Sequence, residues 1–352
     1  MKTARTSDSS ALGSVTATGA KMTAIVHDRY GTTPDEVLRV AVVDRPMIDT
    51  GEVLVRVSAA SVDRGTWHIM AGRPYPIRMA GFGVRTPKHL NPGRSLAGTV
   101  EAVSTGVTGF QPGDEVYGSC DGSFAEYVRV KPDKLAPKPS NVSFEEAASV
   151  PISGITALQA VRDHGRVSSG QSVLVIGASG GVGTFAVQIA KSAGAEVTGV
   201  CRTSKVDLVW GIGADHVIDY TSEDLADGDQ RYDVVLDIGG NSSLDRLRRV
   251  LTPRGRLVIV GGETDGRWLG GADRQVRALL LTLFVRQHLG TFVASENSAD
   301  LVVLRDLIES GQVKPVIDRA YPLTQVSTAI RHLTDGHARG KTVITVQDPN
   351  AS

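Results

Sequence analysis

The sequence predicts an α/β protein of two domains, a mostly antiparallel barrel-like module followed by a doubly wound parallel sheet. Three observations carry this. The 352 residues exceed what one small core organises and suit about two domains. Between Val37 and Val130, short β-branched runs alternate with turn residues, as in a compact barrel. From Gln171 onward, apolar strands alternate with helical segments, the pattern of βαβ units.

Thirty-eight Lys and Arg balance 38 Asp and Glu, so any anion site must be local. The expected partner is a small-molecule substrate, with neither nucleic acid nor membrane. Cys120 and Cys201 are the only cysteines, which excludes a disulfide framework and any zinc site of three or four thiolates. A reducing, cytoplasmic location is expected. The longest apolar stretch, 278–285, is broken by Thr282 and falls far short of the roughly 20 residues that cross a bilayer.

In chain order, residues 1–21 hold eight Ser or Thr and no apolar h-region, so they read as a disordered tail rather than a secretory signal. Met22 opens the first strand-like run and could equally be the start of translation. The first domain is expected over 22–148, with strands near 52–58, 97–103, 114–117 and 124–130. The second is expected over 149–316, beginning near Ser149-Val-Pro151. Residues 317–348 are expected to return to the first module through the alternating run 341–346.

The strand candidate 172–176 runs into Gly177-Ala-Ser-Gly-Gly-Val-Gly183 and then a helical segment. Strand, glycine loop and helix come in the order of a dinucleotide-binding fingerprint. Gly180 lets the backbone approach a pyrophosphate, and Gly183 lets the helix pack tightly on the strand. Free N–H groups at the helix start, around Ser179, Gly181 and Val182, would face the anion. Ala178 stands where the first fingerprint glycine usually is. The next strand ends in Cys201-Arg-Thr-Ser-Lys205, where an NAD-specific fold presents an acid to the ribose. Arg202 and Lys205 can pair with a 2′-phosphate, Thr203 and Ser204 can donate to it, and that stretch carries no carboxylate. NADPH is therefore the expected cofactor.

Several motifs in one order resemble the medium-chain dehydrogenase/reductase superfamily, in its zinc-independent quinone oxidoreductase-like branch. They are Pro92-Gly93 with Ala97-Gly-Thr-Val100, Pro112-Gly-Asp-Glu-Val116, Gly122-Ser-Phe-Ala-Glu-Tyr127, Ala147-Ala-Ser-Val-Pro151 with Gly154-Ile-Thr-Ala157, the glycine loop, and Gly213-Ala-Asp-His-Val-Ile-Asp-Tyr220. The resemblance covers nearly all of 22–348. It implies a GroES-like barrel carrying the substrate site, a Rossmann domain, and a C-terminal segment returning to the barrel. It also implies that Lys205 and Tyr220, fifteen residues apart, contact the 2′-phosphate, and that Thr156 and the Gly261-Gly262 turn lie near the nicotinamide. Near the C terminus, Arg339 and Lys341 are further candidate anion contacts.

Zinc dehydrogenases of that superfamily use an early Cys and a Gly-His-Glu motif, whereas the corresponding stretches here read Val62-Asp-Arg-Gly65 and Gly93-Arg-Ser95. A guanidinium cannot ligate zinc, so no metal is expected. Without a Lewis acid, reduction of a conjugated acceptor suits the chain better than oxidation of a simple alcohol. The family's substrate pocket falls on Asp63-Arg-Gly-Thr-Trp-His68. His68 is the candidate proton donor, Asp63 a polar contact and Trp67 an apolar wall. An amphipathic pattern over 272–289 and the family's habit of pairing the late Rossmann edge point to a homodimer.

The leading expectation is an NADPH-dependent, zinc-independent reductase of quinones or α,β-unsaturated carbonyl compounds. Its rivals are a metal-free NADP-dependent alcohol dehydrogenase or ketone reductase, which needs His68 or Arg94 to polarise the carbonyl, and a non-catalytic NADPH-binding sensor or structural protein.

Overall fold

A computed structural model describes residues 20–226, 229–240, 242–261 and 272–347. Strands β1 (Lys21–Val26) and β2 (Arg39–Asp44) pair as a two-stranded antiparallel sheet. Strands β3 (Val53–Val62), β4 (Ser95–Val103), β5 (Glu115–Ser119), β6 (Tyr127–Val130) and β7 (Leu135–Pro137) form an antiparallel array around β3, as their β-branched runs require. Strands β8 (Ser172–Ile176), β9 (Glu196–Cys201), β10 (His216–Asp219), β11 (Tyr232–Asp237), β12 (Leu251–Ile259) and β13 (His288–Thr291) form a six-stranded sheet in the order β10-β9-β8-β11-β12-β13, every pair parallel. Strands β14 (Ile317–Pro322) and β15 (Lys341–Thr345) leave that sheet and join the first, where β15 pairs with β3.

The parallel sheet is covered on both faces, which is why its strands read as unbroken apolar runs. On β8, Val173 and Val175 enter one core with Phe185 and Ile189 of the Gly181–Ser192 helix. Leu174 and Ile176 enter the other with Leu247 and Ala278. The first of these cores does not stop at the sheet: Ala59, Ala97, Tyr117 and Val343 extend it into the barrel. Tyr117 is fully buried, and its hydroxyl donates to the Leu301 carbonyl at 2.5 Å.

Two local expectations are corrected. The run at 341–346 alternates in sequence, yet residues 341–344 are all buried, because β15 lies between β14 and β3. Val343 faces the core shared with the parallel sheet and Ile344 a separate one. The amphipathic pattern over 272–289 gives a helix only for Ala272–Leu281. Thr282 ends it, its hydroxyl accepting from Leu289 N at 2.8 Å and donating to Gln287 O at 3.3 Å, so the chain turns into β13.

Asp300 ties the Ser298–Glu309 helix to the Pro151–Gln159 helix behind the cleft. It is 5% exposed and accepts from Gln159 at 2.7 Å, Asn297 at 3.0 Å and Arg162 at 2.8 Å. Burial alone would push its carboxyl up, but these donors outweigh burial and hold it below the ordinary value. Its contribution to stability is therefore complete above the unfolded pKa of about 4 and is lost as pH falls through the lower folded value. Asp300→Asn should cost about 2 kcal/mol at neutral pH and flatten the acid limb of a urea-unfolding series; an unchanged acid limb would contradict the assignment.

Candidate functional site

The glycine loop folds as a cradle because two of its glycines, Gly177 and Gly183, occupy positions closed to other residues. Gly177 leaves β8 at φ +86°, a left-handed conformation. A Cβ on Gly183 would sit 2.1 Å from the Gly177 carbonyl oxygen, so only glycine allows the helix to approach the strand. Gly180 is the N-cap of the Gly181–Ser192 helix, in extended conformation, and the N–H groups of Gly181, Val182 and Gly183 in the first turn have no intrahelical acceptor. Ala178 and Ser179 are buried beneath the loop, and the Ser179 carbonyl accepts from Gly340 N at 2.9 Å.

The cations and hydroxyls expected at a 2′-phosphate assemble at the ends of β9 and β10. Arg202 Nε donates to the Tyr220 hydroxyl at 3.3 Å, and the Thr203 and Thr221 hydroxyls are 2.8 Å apart. Ser204 is exposed on the same turn. Lys205 Nζ donates to the carbonyls of Gly336 at 3.1 Å and Ala338 at 2.7 Å. Burial lowers the Lys205 pKa, and the nearby charges of Arg202 and Arg339 lower it further. Arg339, one of the two C-terminal cations expected to contact an anion, is brought to this corner by the C-terminal segment. A carboxylate is also present, brought from outside the 201–205 stretch: Asp219 on β10 accepts from Thr221 Oγ1 at 2.7 Å. Hydrogen bonds from Thr203 and Thr221 hold its carboxyl below the ordinary value.

At the other end of the cradle, Thr156 Oγ1 is turned back on its own helix, donating to Ile152 O at 2.7 Å. Gly261 N donates to Asp237 O at 3.2 Å, and a Cβ there would lie 2.3 Å from Ile238 O. Gly262 lies outside the described residues. Sequence reasoning missed the fully buried Asp237, which receives Gly240 N at 3.1 Å and the Arg274 guanidinium. The pair is 37 residues apart in sequence, beyond any local pattern.

On the barrel side, Asp63 is the N-cap of the Arg64–Ala71 helix, its Oδ1 accepting from Thr66 N at 3.1 Å. Its other oxygen is buried and unpartnered. Trp67 packs on the core formed with Met70 and Ile330 and meets His68 edge-on at 5.2 Å. His68 Nδ1 lies 2.8 Å from the Arg73 carbonyl. Arg94 is bound from both sides, by Asp121 at 2.6 Å and by both oxygens of Glu296 at 2.8 and 2.9 Å. Arg78, between the Arg64–Ala71 helix and β4, donates to Gly72 O and stacks on Tyr30. Lys341 is no exposed phosphate contact: it is 2% exposed, and its Nζ donates to Val62 O and Ser153 Oγ, each at 3.1 Å. Cys120 is buried, and burial pushes its thiol well above the usual range.

A row of hydroxyls on the barrel had no sequence signal. Ser61, Ser95 and Ser119 face one another across β3, β4 and β5, all buried and all without a partner. Two residues along each strand, Ala59, Ala97 and Tyr117 enter the core shared with the parallel sheet, so the row lies on the face turned to that sheet. Among the described residues, no group of three His, Cys, Asp or Glu converges as a metal site requires. The glycine cradle, its free N–H groups and the cation corner do fit a phosphorylated dinucleotide.

Comparison with known proteins agrees with this architecture. Residues 49–140 match the alcohol dehydrogenase GroES-like domain, and residues 212–344 match a family described as zinc-binding dehydrogenase. The chain is 33% identical over 369 residues to the mitochondrial NAD(P)H oxidoreductase RTN4IP1 of Mus musculus, covering 95% of this chain and 92% of the relative. It is 33% identical over 318 residues to the chloroplastic NADPH-dependent alkenal/one oxidoreductase of Arabidopsis thaliana, covering 85% of this chain and 73% of the relative. The quinone oxidoreductase structure from Coxiella burnetii superposes with a TM-score of 0.81 at 26% identity, covering 93% of this chain and all of that one. The chain belongs to the medium-chain dehydrogenase/reductase superfamily, with the α/β, GroES-like plus Rossmann-like fold of that superfamily, and is an oxidoreductase using a nicotinamide cofactor.

Proposed function

We propose that this oxidoreductase is an NADPH-dependent reductase of quinones or α,β-unsaturated carbonyl compounds that works without zinc. The observation that carries the choice of acceptor is Arg94. It stands where zinc dehydrogenases of the superfamily have a histidine, and Asp121 and Glu296 neutralise it. A plain ketone gains most from a Lewis acid or a cation on its oxygen, because the full charge develops there. Arg94 is neutralised, and one nitrogen of His68 is engaged with the Arg73 carbonyl. A conjugated acceptor spreads the incoming charge and needs only hydrogen-bond donors. The names of the alkenal/one and quinone oxidoreductase relatives point the same way.

A bound reduced nicotinamide supplies the hydride. The chain's own residues hold and orient that group. The first-turn N–H groups of Gly181, Val182 and Gly183 receive the pyrophosphate. Arg202, Lys205, Tyr220 and Arg339 receive the 2′-phosphate, with Thr203 and Ser204 as further donors. The Gly261 turn and Thr156 border the nicotinamide end, and the shared core around Tyr117 keeps bulk water from the seam behind it. The free, buried thiols of Cys120 and Cys201 suit a reducing compartment such as the cytoplasm.

Turnover of purified protein with quinones, enones and simple ketones tests the reading, followed by loss of nicotinamide absorbance with NADPH or NADH, with and without chelator. Chelator-insensitive turnover with quinones or enones and a preference for NADPH that Lys205→Ala reduces about tenfold are expected, since a phosphate contact is worth roughly 1.5 kcal/mol or more. Turnover confined to ketones would favour the metal-free alcohol dehydrogenase, and cofactor binding with no turnover a sensor or structural role.

We also propose a homodimer. Val276, Leu279, Leu280, Leu283 and Phe284 are exposed by 55, 49, 57, 74 and 83% beside the sheet-edge strand β13. Such a patch on a free edge suits a second copy of the chain. Sedimentation should give a dimer that L283D/F284D converts to monomer; a monomeric parent protein would contradict this.

A further inference from the structure

We propose that Lys341 and Asp63 form a buried charge couple that fixes the cofactor cradle against the substrate-side helix, making Lys341 a positioning residue rather than a phosphate ligand. The inference rests on the hydride-transfer reading above. Lys341 touches three elements at once. Its Nζ donates to the Val62 carbonyl at the end of β3 and to Ser153 Oγ on the helix that also carries Thr156, each at 3.1 Å. Its stem lies under the glycine loop: a Cβ on Gly181 would be 2.9 Å from Lys341 Cδ and 3.4 Å from Ser153 Oγ. One residue earlier in the chain, Gly340 pairs with Gly180 through the Ser179 carbonyl.

Two neutral acceptors offset only part of the desolvation of a buried ammonium, so a nearby opposite charge favours its charged form. Asp63 supplies it from the residue after Val62. One Asp63 oxygen caps the Arg64–Ala71 helix, and the other is buried with no hydrogen-bond partner. The Asp63 carboxylate makes no direct contact with Lys341 Nζ, but it follows the Val62 carbonyl that accepts from it, and its unpartnered oxygen is buried there. Burial pulls the Lys341 pKa below its ordinary value and the Asp63 charge opposes that pull. The couple therefore links the head of the helix bearing Trp67 and His68 to the floor of the cradle. Small displacements between such parts are costly to hydride transfer, which needs donor and acceptor aligned at contact distance.

A double-mutant cycle with Lys341→Met and Asp63→Asn tests this, read by kcat with the best acceptor of the panel, by NADPH affinity from fluorescence, and by Tm. Each single variant should lose at least ~10-fold in kcat with NADPH affinity changed less than about threefold, and the double variant should be at least ~10-fold more active than the product of the two losses, because it leaves no unpaired buried charge. Asp63→Asn alone should move the alkaline limb of kcat to lower pH, since Lys341 then gives up its proton more readily. The Tm of the double variant should exceed that of Lys341→Met, a readout that survives if the parent enzyme turns over none of the acceptors and the functional reading fails. Multiplicative losses in kcat with additive losses in Tm, or weakened NADPH binding with kcat intact, would overturn the couple. Should Lys341→Met not fold, an unmoved alkaline limb in Asp63→Asn would overturn it alone.

Discussion

The site depends on the chain having to come back. After the parallel sheet is complete, the C-terminal segment crosses the cradle, with Gly340 bound to Ser179, and then enters the barrel as β15 against β3. That single crossing ties the glycine loop to the strand that leads into the Arg64–Ala71 helix. The seam it closes is mostly apolar, with Ala59, Ala97, Tyr117 and Val343 packed among residues of the parallel-sheet domain. Apolar burial is non-directional, so it holds the two parts together without fixing their register.

Register comes from the polar groups set into that seam. Tyr117 donates to the Leu301 carbonyl, Arg94 binds Glu296 through both carboxylate oxygens, and Lys134 donates to the Glu296 carbonyl at 2.5 Å. Bidentate pairing with a carboxylate is directional. The Arg94 guanidinium thereby joins the start of the barrel strand β4 to the segment that follows β13. The hydroxyls of Ser61, Ser95 and Ser119 are the counterpoint: three buried donors without acceptors, costing about 1–3 kcal/mol each, the kind of deficit that functional surfaces retain.

The cradle was legible because its signal is local. Strand, glycines and helix follow within a dozen residues, and the steric need for glycine at 183 follows from that order alone. The cation corner was mostly legible: Arg202 and Lys205 lie on one turn and Arg339 stood out as a C-terminal cation, but Asp219 reaches the corner through strand pairing. Asp237 with Arg274, and Arg94 with Glu296, were illegible because each pair joins distant parts of the chain. Lys341 was misread for a physical reason. A lysine at a strand start ordinarily points to water, and nothing in the alternation of 341–346 shows that this strand will be covered on both faces. Asp63 likewise read as a pocket residue, when an aspartate three residues before a buried threonine is also a helix cap.

The most direct test of the central claim is where the hydride goes. Reaction of an α,β-unsaturated ketone with NADPH deuterated at C4 of the nicotinamide, followed by NMR of the product, locates the transferred atom. Deuterium on the carbon β to the carbonyl, with the ketone intact, is the predicted result. Deuterium on the carbonyl carbon of an allylic alcohol would contradict it and show that the protein directs hydride to the carbonyl itself.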